Sequence, residues 1–161
     1  MFEHFESPKE LFEYRLGSAL TMEHDSLDML HELESAARSD EIKHLFAHHA
    51  QETEHQIANL EKCFSTLGVD SNDSPSPTTK GLAKEGTSLI RKTDPALVDG
   101  VVLSAALGTE HYEISAYETL VTSAEAMGAS EVVALLKENL QQEQHTSEEL
   151  NVAAKKVAAT V

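Results

Sequence analysis

The chain has 161 residues, enough for one domain with its own core, and is 40% hydrophobic and 25% charged with no tryptophan. That composition sets aside disordered and membrane-spanning classes, and no apolar run is long enough to cross a bilayer. The 28 acidic and 12 basic side chains give a formal charge of −16, which argues against nucleic-acid and anionic-lipid partners.

Ser7-Pro8-Lys9-Glu10 supplies a capping hydroxyl, a proline at the first helical position and a glutamate three residues after the cap. A helix is expected from about residue 8 to 38, with Leu11, Phe12, Leu16, Leu20, Leu27, Leu30 and Leu33 on its apolar stripe. Ser39-Asp40-Glu41 opens the next helix, 40–67, where Ile42, Leu45, Phe46, Ile57, Leu60, Phe64 and Leu67 continue an apolar face and Gly68 provides a left-handed stop.

From Val69 to Thr79 the chain is rich in Asp, Asn, Ser and Pro, the chemistry of a surface connection. A short helix is expected at 80–92, interrupted or weakened by Gly86. Asp94-Pro95 restarts the chain for a helix over 95–126, Met127-Gly128 closes it, and a last helix runs over 130–157. One domain, 1–161, follows, all-α. Short connections within the two outer helix pairs and a long one between them match a ferritin-like antiparallel four-helix bundle with one long crossover and a short extra helix.

Cys63 is the only cysteine, so an intramolecular disulfide and a cysteine-based zinc site are both excluded, and it reads as a reduced core thiol. The start of the chain lacks the basic and apolar regions of a secretory signal, so the expected location is cytoplasmic. His44, His48 and His49 are read as lying on or near the surface of the second helix. Tyr112 and Tyr117 fit the core, with a redox role as the alternative.

Glu23, Glu52, Glu110 and Glu143 interrupt the apolar stripe of the four long helices, one in each. Glu23 and Glu52 are 29 residues apart and Glu110 and Glu143 are 33 apart, with midpoints at the two expected turns. Half-separations that differ by about 3 Å of helix rise let all four carboxylates reach one level. Taken singly, each could be the solvent-facing residue of an acidic helix. Together and without metal, four buried carboxylates would repel one another and resist desolvation.

Glu52 is followed three residues later by His55, and such a Glu-x-x-His pair shares a helix face and is the ligand pair of carboxylate-bridged dimetal bundles. The equivalent position after Glu143 is Thr146, so a histidine is missing there. Glu113, three after Glu110, is the better substitute, and His145 is the alternative.

These residues carry a family resemblance. Glu-His-Tyr-Glu-Ile-Ser-Ala-Tyr-Glu-Thr-Leu from Glu110 to Leu120, with Leu-Leu-Lys-Glu-Asn-Leu-Gln-Gln-Glu from Leu135 to Glu143, resembles the YciE/YciF family of bacterial stress-associated, ferritin-like proteins. The resemblance implies a homodimer of helical bundles with a dinuclear, ferroxidase-type centre, and Glu23, Glu52, Glu110 and Glu143 as its core carboxylates. At Leu20, Gln144 and Ser147 this chain departs from the family pattern.

The expected cofactor is a pair of metal ions, iron first and manganese as the alternative, with Glu23, Glu52, His55, Glu110, Glu113 and Glu143 as candidate ligands. The leading activity is oxidation of Fe(II) by a small oxidant, oxygen or peroxide, in a stress response. The alternatives are a metal-independent interaction protein acting as a helical dimer and a manganese-type protein that decomposes peroxide.

Overall fold

A computed structural model describes residues 4–160; residues 1–3, part of the stretch read for a signal, and residue 161 lie outside the described residues. Among the described residues the chain is all-helical, with five helices: α1 Pro8–Ala36, α2 Asp40–Leu67, α3 Pro77–Lys92, α4 Val98–Ala126 and α5 Ser130–Ala158. None of them is long and apolar enough to cross a membrane.

The ends of the helices follow local chemistry. Ser7 Oγ accepts from the Glu10 amide at 3.2 Å, and the Glu10 carboxylate accepts from the Ser7 amide at 3.1 Å, a complete capping box before α1. α1 stops at Ala36, two residues short of the expected Arg38, because the Arg38 and Ser39 amides turn away to donate to the Asp99 carboxylate of α4 at 2.7 and 3.1 Å. Gly68, at φ 68°, ends α2, and the Val69 amide reaches back to the Phe64 carbonyl.

α3 begins at Pro77 rather than Lys80, since Pro77 suits a first helical position and Thr79 Oγ1 donates to Asp25 of α1 at 2.8 Å. Gly86 does not interrupt it. It is buried against α4, where an added Cβ would lie 3.3 Å from the Ala105 methyl, so the glycine permits close helix approach. Residues Pro95–Leu97 form a single 3₁₀ turn capped by Asp94 before α4 proper.

α1 packs on α2 and α4 on α5 across three-residue turns; α1 also packs on α4 and α2 on α5, while α3 lies against α1 and α4. The connection from Val69 to Ser76 crosses α1 at Gly17, where Ser18 donates to the Pro75 carbonyl at 2.9 Å and a Cβ would fall 2.9 Å from the Asn72 carbonyl oxygen.

The apolar core is divided in two. One cluster gathers Phe12, Leu16, Leu20, Phe64, Leu120 and Leu136, and the other Leu30, Leu33, Phe46, Val102, Leu103 and Leu150. Between them in sequence, on every long helix, lies a turn or two of buried polar side chains: Glu23 and Ser26 on α1, His49, Thr53 and Gln56 on α2, Glu110 and Glu113 on α4, and Asn139, Glu143 and Thr146 on α5.

Candidate metal centre

The four long helices each bury a carboxylate or an imidazole in this polar layer. His49, Glu110, Glu113 and Glu143 each offer a ligand atom, and these atoms all lie within 4.8 Å of one another. Glu23 completes the layer from α1, fully buried, with one oxygen accepting from the Tyr117 hydroxyl.

Glu110 and Glu113 are three apart on α4 and share a face. Glu143 enters from α5 and His49 from α2, with His49 Nε2 2.9 Å from Glu110 Oε1. That contact is close but not aligned as a hydrogen bond, and neither ring nitrogen has a hydrogen-bond partner. The same holds for one oxygen each of Glu23 and Glu110 and for both oxygens of Glu113 and Glu143. Buried polar atoms are ordinarily satisfied, so a concentration of orphans at one point is a set of potential ligand atoms without a partner.

Titration reflects this crowding. Burial pushes the Glu23 carboxyl up to about 7 against the lowering effect of the Tyr117 hydroxyl. Glu113 and Glu143 are driven well above the usual carboxylate range, by burial first and then by the neighbouring carboxylates. For His49 burial lowers the pKa, but the charge and proximity of Glu110 outweigh it and raise the imidazole to about 10. Tyr117 is raised well above its ordinary value by burial and by Glu23.

A second set of residues holds the layer in place. Asn139 of α5 donates to the Tyr117 hydroxyl at 3.0 Å and to the Gln56 carbonyl at 3.2 Å, and accepts from Asn59 of α2 at 2.8 Å. Tyr117 in turn donates to Glu23, so α2, α5, α4 and α1 are linked by one chain of side chains that orients a carboxylate.

The expected ligands are distributed unevenly. Glu23, Glu110, Glu113 and Glu143 come together. Glu52 sits at the edge, partly exposed, with Oε2 3.7 Å from His49 Nδ1 and accepting from Thr146 Oγ1 at 3.3 Å; its carboxyl is held below the ordinary range, chiefly by His49. His55 does not join the cluster: its side chain is exposed and its Nε2 lies 2.9 Å from Glu138. His145 is also exposed, 3.6 Å from Glu149.

The reading of His49 as a surface residue is corrected, since it is buried and central. The signal was present in the spacing. Ile42, Phe46, His49, Thr53, Gln56, Leu60 and Cys63 alternate steps of four and three, the period of one helix face, and all seven are buried. Asn59 and Asn139 were also missed, because a neutral amide on an apolar stripe does not stand out as a carboxylate does.

Residues 7–160 match the family described as a domain of unknown function, DUF892. Protein YciF of Escherichia coli K12 is 29% identical over 140 residues, covering 86% of this chain and 84% of that protein. The crystal structure of the E. coli stress protein YciF superimposes with a TM-score of 0.93 at 26% identity, covering 98% of this chain and all of that one. YcfI of Rhodopseudomonas palustris superimposes with a TM-score of 0.90 at 26% identity over 94% of this chain and 97% of the other.

Proposed function

The chain belongs to the YciF-like family described as DUF892, and from that premise we propose that it is a ferritin-like four-helix bundle housing a dimetal-carboxylate centre that oxidises Fe(II) in a stress response. The observation that carries the reading is the knot of unsatisfied buried donors: six carboxylate oxygens and both nitrogens of His49, converging from four helices. Four fully buried glutamates carry up to four negative charges, which two divalent cations balance.

The residues fit such a pair. Glu110, Glu113, Glu143 and His49 would hold it, with Glu23 from α1 and Glu52 at the solvent edge. Hard carboxylate oxygens with a single imidazole suit iron and manganese, whereas a thiolate-poor, imidazole-poor set is a poor match for copper or zinc. A pair of Fe(II) held by these residues would supply two electrons, enough to reduce one molecule of oxygen to peroxide or one of peroxide to water. The chain's own residues bring the negative charge, exclude bulk water with the flanking apolar clusters, and orient Glu23 through Tyr117 and Asn139. His49 and the raised carboxyls give up protons as cations bind.

Metal stoichiometry tests this reading. Anaerobic Fe(II) loading followed by desalting and elemental analysis should give about two irons per chain, with oxygen-dependent absorbance growing afterward; retention of only trace iron would sink the proposal. A homodimer belongs to the same reading, and sedimentation equilibrium at the monomer mass would remove that part alone.

A further inference from the structure

We propose that His48 and Glu52 form a surface way-station that hands an incoming divalent cation to His49 and the buried cluster. The inference rests on the metal-centre reading and extends it to how the centre is filled.

A cation must leave water to reach the layer, and the two apolar clusters on either side offer it nothing in exchange. Among the candidate carboxylates, Glu23, Glu110, Glu113 and Glu143 are at most 1% exposed, whereas the Glu52 side chain is 19% exposed. Glu52 is therefore where the donor set meets solvent.

From there the donors form a continuous ladder. His48, whose side chain is 62% exposed, places Nε2 3.8 Å from Glu52 Oε1. The other oxygen of Glu52 is 3.7 Å from Nδ1 of the buried His49, and Nε2 of the same ring is 2.9 Å from Glu110. His48, His49 and Glu52 occupy one turn of α2, at spacings of three and four residues, so the carboxylate stands between two imidazoles. Thr146 of α5 donates to Glu52 and fixes its direction.

An exposed histidine four residues from a glutamate is by itself an ordinary surface pair. What sets this one apart is its inner end, a buried imidazole that lies between Glu52 and Glu110 with neither nitrogen in an aligned hydrogen bond. The pair of His55, on the same helix, with Glu138 of α5 lies at the surface and serves as its control. The chemistry suits a hydrated divalent transition ion that can trade waters one at a time for carboxylate oxygen and imidazole nitrogen.

The test is Co(II) loading of metal-free protein, followed in stopped flow by quenching of tyrosine fluorescence, with final stoichiometry from elemental analysis after desalting. His48→Ala should lower the second-order loading rate by about tenfold while leaving the final stoichiometry at the wild-type value. His55→Ala should load like wild type. The proposal is overturned if His48→Ala loads at the wild-type rate, or if His55→Ala slows loading equally, which would mark a general effect of surface histidines. Wild-type protein that takes up no Co(II) at equilibrium would overturn it differently, by removing the metal centre itself.

Discussion

Replacing Glu113 by Gln should stabilise the metal-free protein and abolish its response to metal. Glu113 is fully buried, neither oxygen has a donor, and burial, followed by the charges of Glu23 and Glu110, drives its pKa well above the ordinary 4.5. The folded protein therefore keeps a proton that the unfolded chain releases above pH 4.5, and the stability associated with this carboxyl is present below that pH and lost as pH rises toward the folded value. At pH 7 the interval is about 2.5 units, so the loss is at most about 3.4 kcal/mol.

Glutamine does not titrate, but its buried amide finds no ready partner and costs about 1–2 kcal/mol. The net gain at pH 7 is at most about 1–2 kcal/mol, or roughly 2–8 °C in Tm for a chain of this size. At pH 4.5 no gain is expected. Metal at a hundred times its dissociation constant should add about 2.7 kcal/mol to the wild type and little to the variant. Scanning calorimetry at both pH values, with and without Mn(II), reads all four states. A variant that melts below wild type at pH 7 without metal, or that keeps the wild-type metal shift, would refute the reasoning.

Metal binding should release protons at pH 7, because His49, raised to about 10, and Glu23, raised to about 7, must give theirs up; affinity should fall as pH drops below 7, and calorimetric titration in two buffers of different ionisation enthalpy measures the release. His49→Ala should lose most of the bound metal found by elemental analysis, whereas His55→Ala should retain it, since only the former reaches the cluster. Tyr117→Phe removes the donor to Glu23 and an acceptor of Asn139, and should cost about 1–3 kcal/mol, seen as a lower urea midpoint with an unchanged slope.

The helices were legible because their ends carry explicit chemistry: Ser7, Pro8 and Glu10 at one, Gly68 at another, Gly128 at φ 70° at a third. Asp99 was not legible as the partner of the turn that ends α1, since Arg38 and Asp99 are 61 residues apart in sequence and meet only through packing. The depth of the carboxylates could be read from their distances to the turns, which depend only on helix rise. Their exact faces could not, and α2 shows why. Three successive members of its buried stripe, His49, Thr53 and Gln56, are polar, so the layer that makes the site erased the apolar signal that would have located it. Leu45 and Glu52, one step to the side, then passed for the inward face, and His55 followed Glu52 to the surface.

The division of the apolar core also bears on how the chain finds a single alignment. Long helices with leucine-rich stripes above and below can slide past one another by a turn, about 5.4 Å, and still bury much the same surface. Here such a slip would push Glu23 or Glu143 against leucines and pull Tyr117 from its carboxylate partner. The polar layer thus works as a vernier mark, matched on four helices at one height, and a slipped setting leaves carboxyl groups among leucines without the Tyr117 hydroxyl.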